Sequence, residues 1–415
     1  MTSGRSTPVC DIAIAGGSFA GLSLALALAR ALEGLRISVI DRTDPGAALS
    51  PGFDGRSLAL SPASRNLLAA LGVWPALADD AQPITAMEIT DSRLENVVRP
   101  ALLHFGEPSP EGEPVAWMVE TRHLRRALFE AVAQTPAITF CAPESVAAFH
   151  AGDSAIEVSL GSGGTIAAGL LVAADGKKSA LRRLAGIRTV GWSYDQVGIA
   201  ATVAHEKPHH GVAIQHFLPS GPFAILPLTG NRSSLVWTEQ TDRGRELVAL
   251  DDTAFLAELK RRFGSSRGAL SLAGPRAAFP LDMHVARSFT APRLALIGDA
   301  AHAVHPLAGQ GLNIGLRDVA ALTQVVAEGN RIGLSPGDAQ LLRRYEQWRR
   351  FDSVLSGLAM DGLNRLFSND NAPLRGLRDI GLGLVERMPA LKQAFMQEAS
   401  GLTGDVPALL RGEMP

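Results

Sequence analysis

Short apolar runs alternate with stretches of helical periodicity at the start of the chain. Residues 11–15 form an apolar run, residues 18–31 follow a helical spacing, and residues 36–40 form a second apolar run. Two strand-length runs around one helix are typical of a βαβ unit with parallel strands. The same order returns late, where an apolar run at 293–297 precedes a glycine-rich loop and a helical pattern over 312–327.

The segment between these two regions has a different periodicity. Residues 154–174 predict a hairpin that leads into a buried strand, and residues from about 190 to 285 read as strands separated by turns. The tail beyond residue 330 is largely helical by periodicity. We therefore expect an α/β fold with a discontinuous dinucleotide-binding domain (1–80, 100–187 and 286–330). A mainly antiparallel sheet domain (81–99 and 188–285) and a C-terminal helical region (331–415) complete it.

Composition narrows the range of functions. The chain has 415 residues, of which 46% are hydrophobic and 19% charged, so it is expected to fold. A net charge of −2 gives no basic field for nucleic acid. Cys10 and Cys141 are too few for a disulfide framework, and no metal-site spacing is present, so no metal is expected. No window reaches the ~18–20 apolar residues of a spanning helix, and we expect a cytoplasmic protein.

A glycine-rich turn joins the first predicted strand to the first predicted helix. Gly16, Gly17 and Gly21 stand in it, and Asp41 follows at the end of the second strand. Such a turn lets backbone N–H groups approach a diphosphate, while the carboxylate accepts hydrogen bonds from a ribose. Ser18 replaces the second glycine of a GxGxxG pattern, and its Cβ obstructs the approach to phosphate. The pattern predicts a dinucleotide site; the alternative is a plain strand-to-helix turn.

Two further motifs follow predicted strands. Asp175 and Gly176 come directly after a buried strand, where ligands bind in open α/β sheets. The second motif is longer and more specific. Its residues are Gly298-Asp299-Ala300-Ala301-His302, then His305-Pro306-Leu307-Ala308-Gly309-Gln310-Gly311-Leu312-Asn313-Ile314-Gly315, and Asp318.

Together these motifs resemble the FAD-dependent hydroxylases of ubiquinone biosynthesis, within the p-hydroxybenzoate hydroxylase-like class A flavoprotein monooxygenases. The run from His305 to Asp318 is similar to that family's signature, as are the segments 54–61 and 217–227. The resemblance covers residue 11 to about residue 400. It implies a Rossmann-like FAD-binding domain interleaved with a mainly antiparallel β-sheet substrate domain and a helical C-terminal tail.

The resemblance also implies which residues hold FAD. The first glycine motif would bind the diphosphate, Asp41 the adenosine ribose and Asp299 the ribityl chain. Glycines of the late loop would let backbone N–H groups approach the flavin ring, and the dipole of the helix that follows would add to this. For Arg122 an ordinary helix-face arginine is an equal alternative. The implied cofactor-binding residues are Gly16, Gly17, Ser18, Gly21, Asp41, Arg42, Arg56, Arg122, Asp175, Asp299, Gly309, Gly311, Leu312 and Asn313.

The implied reaction uses NADPH or NADH, with NADPH favoured, and O₂ to hydroxylate a lipophilic aromatic substrate. His305, Pro306 and Gln310 are the expected catalytic residues of the late loop. His216 is a further candidate for handling a proton, since histidine titrates near neutral pH, and the alternative is a strand histidine without a catalytic role. For His302 and His305, the favoured interpretation is that they shape the flavin loop.

Two surface features leave alternatives open. Lys177, Lys178, Arg182 and Arg183 could meet the phosphates of the nicotinamide cofactor, but a solvated helix face is the favoured interpretation. Apolar residues at helical spacing are mixed with basic residues in the tail between residues 363 and 395. They predict either core packing or a surface that meets the inner membrane or a partner in a biosynthetic complex.

The favoured function is a ring hydroxylase acting on a polyprenylphenol in ubiquinone biosynthesis. One alternative is a flavin hydroxylase of another aromatic substrate. The other is a non-catalytic flavin-binding scaffold in a biosynthetic complex, which the presence of Ser18 and His216 motivates.

Overall fold

The computed structural model describes residues 9–49, 52–94, 99–106, 114–304, 309–367 and 383–415. The helices are α1 (Phe19–Ala31), α2 (Pro45–Ala48), α3 (Pro62–Ala70), α4 (Thr121–Ala133), α5 (Ala180–Leu184), α6 (Thr241–Ala249), α7 (Asp252–Phe263), α8 (Gln310–Arg331), α9 (Ala339–Phe367) and α10 (Pro389–Ser400), with a helical turn at 383–387. The strands are β1 (Val9–Ala15), β2 (Ile37–Ile40), β3 (Ser57–Leu60), β4 (Gln82–Ile84), β5 (Ala86–Asp91), β6 (Leu103–Gly106), β7 (Ala116–Glu120), β8 (Ile138–Cys141), β9 (Val146–Ala151), β10 (Ile156–Leu160), β11 (Thr165–Ala173), β12 (Thr189–His205), β13 (Val212–Leu218), β14 (Gly221–Leu228), β15 (Arg232–Gln240), β16 (Leu270–Leu272), β17 (Ala277–Ala286), β18 (Thr290–Ala291), β19 (Leu294–Leu296) and β20 (His302–Ala303).

Five parallel strands form the centre of the first sheet, in the order β19-β11-β1-β2-β8. The apolar residues of β1, β2, β19 and the second half of β11 are buried on both faces, as is typical of parallel sheets, whereas β8 at the edge is only partly buried. The hairpin of β10 and β11 and the short β18 add antiparallel pairs at the margins. The predicted βαβ unit and the predicted hairpin are both confirmed.

Helices α1 and α8 pack against each other and share the core of this sheet. Leu22, Leu24, Leu26 and Leu28 of α1 are fully buried, because small residues at the neighbouring positions let the helix lie close to the strands. Helix α8 begins two residues earlier and ends four residues later than its predicted span. The prediction that a strand and a helix return late in the chain is therefore confirmed. Strand β19 belongs to the first sheet, and helix α8 shares its core.

The second sheet has nine strands, in the order β20-β17-β12-β15-β14-β13-β5-β6, with β16 paired to β12. Its pairs are antiparallel except for β13 and β5. The mainly antiparallel sheet that the turn pattern predicts is therefore confirmed. A small antiparallel sheet, β3-β7-β4, connects the two large sheets.

One part of the strand-rich prediction is wrong. Residues 241–249 and 252–263 form helices α6 and α7, not strands. The side chain of Asp251 caps α7 by accepting the N–H of Ala254 at 2.9 Å, and Phe255, Leu259 and Phe263 repeat at the four-residue spacing of a helix face. That face is buried against one side of the nine-stranded sheet.

The expected domain boundaries cross one sheet. Strand β6 falls in the expected segment 100–187, yet it pairs with β5 in the nine-stranded sheet. The C-terminal region is helical, and Phe367 at the end of α9 stacks on Phe217 of β13 with ring centroids 4.0 Å apart. Leu366, Leu384 and Phe395 are exposed, while residues 374, 377 and 380 of the tail lie outside the described part. No helix in the described ranges has the length and apolar character to cross a membrane.

Candidate active site

The carboxyl ends of the parallel strands meet at one edge of the first sheet, and the first glycine motif lies there. Gly16 has a φ of 115°, and a Cβ built on it would stand 2.2 Å from the carbonyl oxygen of Ala174. A Cβ on Gly21 would stand 1.9 Å from the carbonyl oxygen of Gly16. Both positions therefore require glycine. This packing brings the N-terminus of α1 to the same edge as Asp175.

The carboxylate of Asp41 holds this turn from the neighbouring strand. It accepts hydrogen bonds from the N–H groups of Gly17 at 2.6 Å and Thr43 at 2.7 Å. A Cβ on Gly17 would stand 2.7 Å from the ring of Phe140, so glycine is needed here as well. Each carboxylate oxygen has two lone pairs, so Asp41 can still accept hydrogen bonds from a ligand. Arg42 beside it is exposed.

Ser18 is the N-cap residue of α1. Its φ of −98° and ψ of −167° are extended values that any residue adopts, so the serine causes no backbone strain. Its hydroxyl makes no capping hydrogen bond, and the residue is exposed. The N–H of Leu22 bonds to the carbonyl of Ser18, so the N–H groups before it point out of the helix end. These groups and the helix dipole favour an anion at this end.

The N-terminus of α8 provides a second helix end with free space beside it. Gly309 is its N-cap, with a φ of 64°, and a Cβ on it would stand 3.1 Å from the Cβ of Ala59 in β3. A Cβ on Gly311 would have no atom of the described residues within 4 Å. The first turn of α8 therefore faces a space that no described residue fills on the side of Gly311.

Glycines also bring α1 and α8 together. A Cβ on Gly315 of α8 would stand 3.3 Å from the Cα of Gly298, and a Cβ on Gly298 would stand 3.4 Å from the Cβ of Ala20 in α1. The segment after β19 is thus held between the two helices. Both helix N-termini consequently belong to one site.

The side chain of Asn313 fixes the start of α8. Its amide donates to the carbonyl of Ala59 at 3.0 Å, and its Oδ1 accepts from the N–H of Ser61 at 3.0 Å and from the hydroxyl of Ser64 at 2.7 Å. The residue is 3% exposed. Sequence reasoning placed Asn313 at the cofactor without finding this role of its side chain, since the partners are 249 to 254 positions away in the sequence.

Asp175 and Asp299 follow two neighbouring strands. The Oδ2 of Asp175 accepts the N–H groups of Ala180 at 2.7 Å and Leu181 at 3.2 Å, while its buried Oδ1 has no hydrogen-bond partner among the described residues. Asp299 stands in the 3₁₀ turn after β19 and is partly exposed, yet desolvation by the surrounding protein raises the pKa of this carboxyl. His302 acts in the opposite direction on the same pKa.

The basic run after Asp175 is not a uniform solvated face. Arg182 is buried, and its guanidinium donates to the carbonyl of Ala300 at 2.8 Å. This corrects the favoured interpretation for Arg182, because burial and that hydrogen bond make it a support for the segment after β19. Lys177 forms an ion pair with Asp282, whereas Lys178 and Arg183 are exposed.

Two arginines that the resemblance assigns to the cofactor are engaged with carboxylates. The guanidinium of Arg56 pairs with Asp54 at 2.6 Å. Arg56 immediately precedes β3, the strand that carries Ala59. Arg122 pairs with the buried Glu120 at 2.7 Å and lies over the ring of Phe53. Both stand on the β3 and β7 side of the site.

A buried ionic network stands behind the segment 298–302. Asp318 of α8 accepts hydrogen bonds from His302 at 2.6 Å, from the N–H of Gly298 at 2.8 Å and from Arg349 of α9 at 2.8 Å. Burial opposes the ionisation of Asp318, but His302 and Arg349 outweigh it and lower the pKa of this carboxyl. Arg349 was not found from the sequence, where it stands in an ordinary helical pattern.

His216 lies on the face of the nine-stranded sheet that α6 and α7 cover. Its ring is stacked on Phe223, its Nδ1 lies 2.8 Å from the hydroxyl of Thr90, and burial lowers its pKa to about 4. The opposite face carries Ala213, which belongs to the cluster packed against Ala59, the neighbour of Gly309. This placement contradicts the expected catalytic role, because the sheet separates the imidazole from the N-terminus of α8.

The remaining expected catalytic residues divide into two sets. His305 and Pro306 lie outside the described residues. Gln310 is the first residue of α8 and is half-buried, while Leu312 and Gly311 follow it in the first turn. The described part of the motif therefore lies at the open helix end.

The residues present fit a flavin dinucleotide. One helix N-terminus beside a ribose-accepting carboxylate suits a diphosphate, and a second N-terminus with open space at Gly311 suits an electron-accepting ring. The buried and unpartnered Oδ1 of Asp175 leaves one acceptor for a donor from outside the described residues.

Comparisons with known proteins agree with this geometry. The model of the FAD binding domain family matches residues 9–351. Ubiquinone hydroxylase UbiL of Rhodospirillum rubrum is 44% identical over 99% of this chain and 94% of its own length. The 3-demethoxyubiquinol 3-hydroxylase of Escherichia coli is 36% identical over 94% of this chain and 98% of its own. The human ubiquinone biosynthesis monooxygenase COQ6 is 32% identical over 96% and 94%.

A solved structure shows the same fold. The p-nitrophenol 4-monooxygenase PnpA of Pseudomonas putida superposes with a TM-score of 0.77, covers 96% of this chain and all of its own, and is 17% identical. Family match, relatives and helix-end geometry lead to one conclusion. The chain belongs to the FAD binding domain family and, within it, to the FAD-dependent monooxygenases of ubiquinone biosynthesis.

Proposed function

We propose that this protein uses FAD, O₂ and a reduced nicotinamide cofactor to hydroxylate the aromatic ring of a polyprenylphenol in ubiquinone biosynthesis. The observation that carries the proposal is the convergence of two helix N-termini at one edge of the parallel sheet, with no described residue against the Cβ position of Gly311. The similarity to ubiquinone hydroxylases over nearly the whole chain supports the substrate class.

The protein's own residues bind and orient the cofactor. The N–H groups in the first turn of α1 bind the diphosphate, and Asp41 accepts from the adenosine ribose. Asp175 and Asp299 would hold the rest of the dinucleotide, together with Arg56 and Arg122 on the β3 and β7 side. The N–H groups of Gly311 and its neighbours stabilise negative charge on the ring system, and the dipole of α8 adds to this. When bound, FAD supplies the transfer of electrons from the nicotinamide to oxygen.

The protein also excludes water from the reacting centre. Ile84, Met118, Ala213 and Leu228 form a buried apolar cluster beside Ala59, which packs next to the N-cap of α8. An apolar wall keeps the substrate ring and activated oxygen in a dry site, where side reactions with water are suppressed. The aromatic ring of the substrate lies between this wall and the start of α8.

The finer aspects belong to the same proposal. NADPH is the favoured reductant, and it approaches without a dinucleotide fold of its own. The reaction takes place on the cytoplasmic side of the inner membrane, because a polyprenylated substrate partitions into lipid. Other proteins of the pathway are the natural partners for handing over such a substrate.

Turnover by the purified protein tests the proposal. We expect protein-bound flavin, NADPH oxidation that a polyprenylphenol stimulates, and incorporation of one ¹⁸O atom from ¹⁸O₂ into the ring, detected by mass spectrometry. Anaerobic incubation should reduce the flavin without forming product. If only an unrelated aromatic compound stimulates NADPH oxidation, the protein is a hydroxylase of a different substrate. If neither NADPH nor NADH reduces the bound flavin, the protein is a non-catalytic flavin-binding scaffold.

A further inference from the structure

An apolar groove lies on the outside of the molecule, between α9 and the paired ends of β12 and β17. It is open to solvent and has a volume of about 230 Å³. Val190 and Trp192 of β12 face Val285 and Met283 of β17 in register. The lining residues are Val190, Trp192, Met283, Val285, Ala286, Arg287, Arg350, Val354 and Leu358.

Large apolar side chains stand at the edge of this groove. Phe351 is 75% exposed, and Val190 and Leu358 are each 51% exposed. Phe351 and Leu358 are seven residues apart on α9, two turns along one side of the helix, with Val354 between them. Single exposed apolar residues are ordinary, but several around one apolar groove mark a surface that binds something.

Arginines surround the same groove. Arg287 and Arg350 line it, and the carbonyl of Arg188 accepts the N–H of Arg287 at 2.8 Å, so a third arginine is adjacent. All three are exposed, and none of their guanidinium groups has an ion pair within the described ranges. The whole chain has a net charge of −2, so this basic character is local.

The positive charge of the arginines indicates which of two occupants, a second copy of the chain or a lipid bilayer, fits the groove. A second copy of the chain on a two-fold axis would bring Arg287 and Arg350 close to the same residues of the copy, and like charges oppose that contact. An anionic lipid bilayer offers phosphates to the arginines and hydrocarbon to Phe351 and Leu358. We propose that this groove and its rim are the surface by which the protein docks on bilayers that contain anionic phospholipid.

The groove is also close to the candidate active site. Met283 forms its floor, and a Cβ on Gly357 would stand 2.7 Å from the Cε of Met283 and 3.7 Å from Val304. Val304 is the last described residue before residues 305–308, after which Gly309 caps α8. Docking here places lipid one side chain from Val304. This aspect rests on the proposed function, since only a lipid-soluble substrate gains from such proximity.

Vesicle sedimentation of the flavin-loaded full chain, without NADPH or substrate, tests the docking surface. We expect binding to phosphatidylglycerol vesicles, none to phosphatidylcholine vesicles, and loss of binding at about 0.5 M salt. The double variant Arg287→Gln with Arg350→Gln, and separately Phe351→Ser, should each lower the bound fraction by about fivefold or more.

Matched control variants remove two exposed arginines, or one exposed apolar side chain, at other places on the surface. Arg245→Gln with Arg331→Gln removes two exposed arginines, and Ile332→Ser replaces an apolar residue that is 74% exposed. Both should bind vesicles as the wild type does. Equal binding by all variants, or no binding by the wild type, would overturn the proposal, as would a dimer in solution that Phe351→Ser dissociates. Because no turnover is measured, this result is independent of hydroxylation.

Discussion

Asn313 and Gly311 stand two residues apart in α8 and have opposite roles. Asn313 is satisfied by partners in β3 and α3, so it holds the helix in place. Gly311 contacts nothing on its Cβ side in the described structure, so it keeps a space open. The start of α8 is therefore held in place at Asn313 and carries no side chain at Gly311. This combination suits the binding of a flat ring.

Gly311→Ala separates binding from folding. The added methyl group enters the open space, so the FAD dissociation constant should rise about tenfold or more. The apoprotein should be as stable as wild type, or more stable by up to about 1 kcal/mol, since alanine favours helix over glycine. Flavin fluorescence titration and urea unfolding measure the two quantities. Gly362→Ala in α9, where an added Cβ would likewise meet no described side chain, is the control and should leave FAD affinity unchanged.

His216→Gln tests whether this histidine acts in folding or in catalysis. Its pKa of about 4 lies below the ordinary 6.5, so between these values the unfolded chain binds a proton that the native protein does not. Native stability therefore falls as pH drops from 6.5 to 4, by up to about 3 kcal/mol from this residue.

The stability advantage of the wild type over His216→Gln should shrink across that pH range, measured by urea unfolding at several pH values. The exposed His150→Gln serves as the control and should show no such change. Hydroxylation by His216→Gln at neutral pH should remain close to wild type. A loss of turnover without a loss of stability would restore the catalytic role.

The sequence predicts the glycines and Asp41 because local backbone geometry fixes these residue types in a strand–turn–helix unit. It cannot predict which face His216 occupies, since that depends on the register of β13 and on the helices that cover the sheet. It also cannot predict the partners of Asn313. Those contacts join segments far apart in the chain, and no local pattern records them.

At the scale of elements, the sequence predicted helix α8 but not helices α6 and α7. The sequence signals differ between the two cases. Helix α8 follows a strand and a glycine loop, which mark its start. Helices α6 and α7 lie within a strand-rich segment. If the spacing of their apolar residues is not considered, these residues resemble the apolar runs of short strands. The cap at Asp251 and the spacing of Phe255, Leu259 and Phe263 were the available signals.

Asp318 joins three elements, so its replacement should affect more than its own position. Asp318→Asn leaves Arg349 as a buried cation with a weaker partner, and we expect a loss of about 3 to 5 kcal/mol in the free energy of unfolding. The lowered pKa means that this contribution is present near neutral pH and is lost as pH falls below the ordinary carboxyl range. Urea unfolding at pH 7 and in mild acid measures both effects.

The control for this variant is Asp242→Asn, whose side chain is 96% exposed and pairs with Arg245. Surface ion pairs contribute little, so its stability should change by less than about 1 kcal/mol. Equal effects of the two substitutions would show that the network around Asp318 does not support the segment 298–302.

At the scale of the whole molecule, the chain leaves the first sheet after β11 and returns to it at β18 and β19. The nine-stranded sheet is built largely from the residues between. Strand β19 pairs with β11, and Ser61 bonds to Asn313 across 252 positions. Contacts between residues so far apart in the sequence form late in folding, because the intervening chain must be ordered first. The order of segments along the sequence was predictable, but the membership of β6 and β20 in the nine-stranded sheet was not.

Protection of nascent chains tests this order. Stalled chains that extend through β11 but not through α8 should remain sensitive to protease and retain no FAD. Protection and flavin retention should appear together once α8 has left the ribosome. A protected flavin-binding fragment made from the residues before β12 would contradict this expectation.

The two helix ends that face the cofactor come from opposite parts of the chain. A ligand held by both binds only the assembled state, so its free concentration adds directly to the stability of the entire fold. In a cell, flavin supply would then govern the survival of newly made molecules. When riboflavin is scarce, apoprotein should be cleared by proteolysis, and the amount of enzyme should follow vitamin status even when transcription is constant.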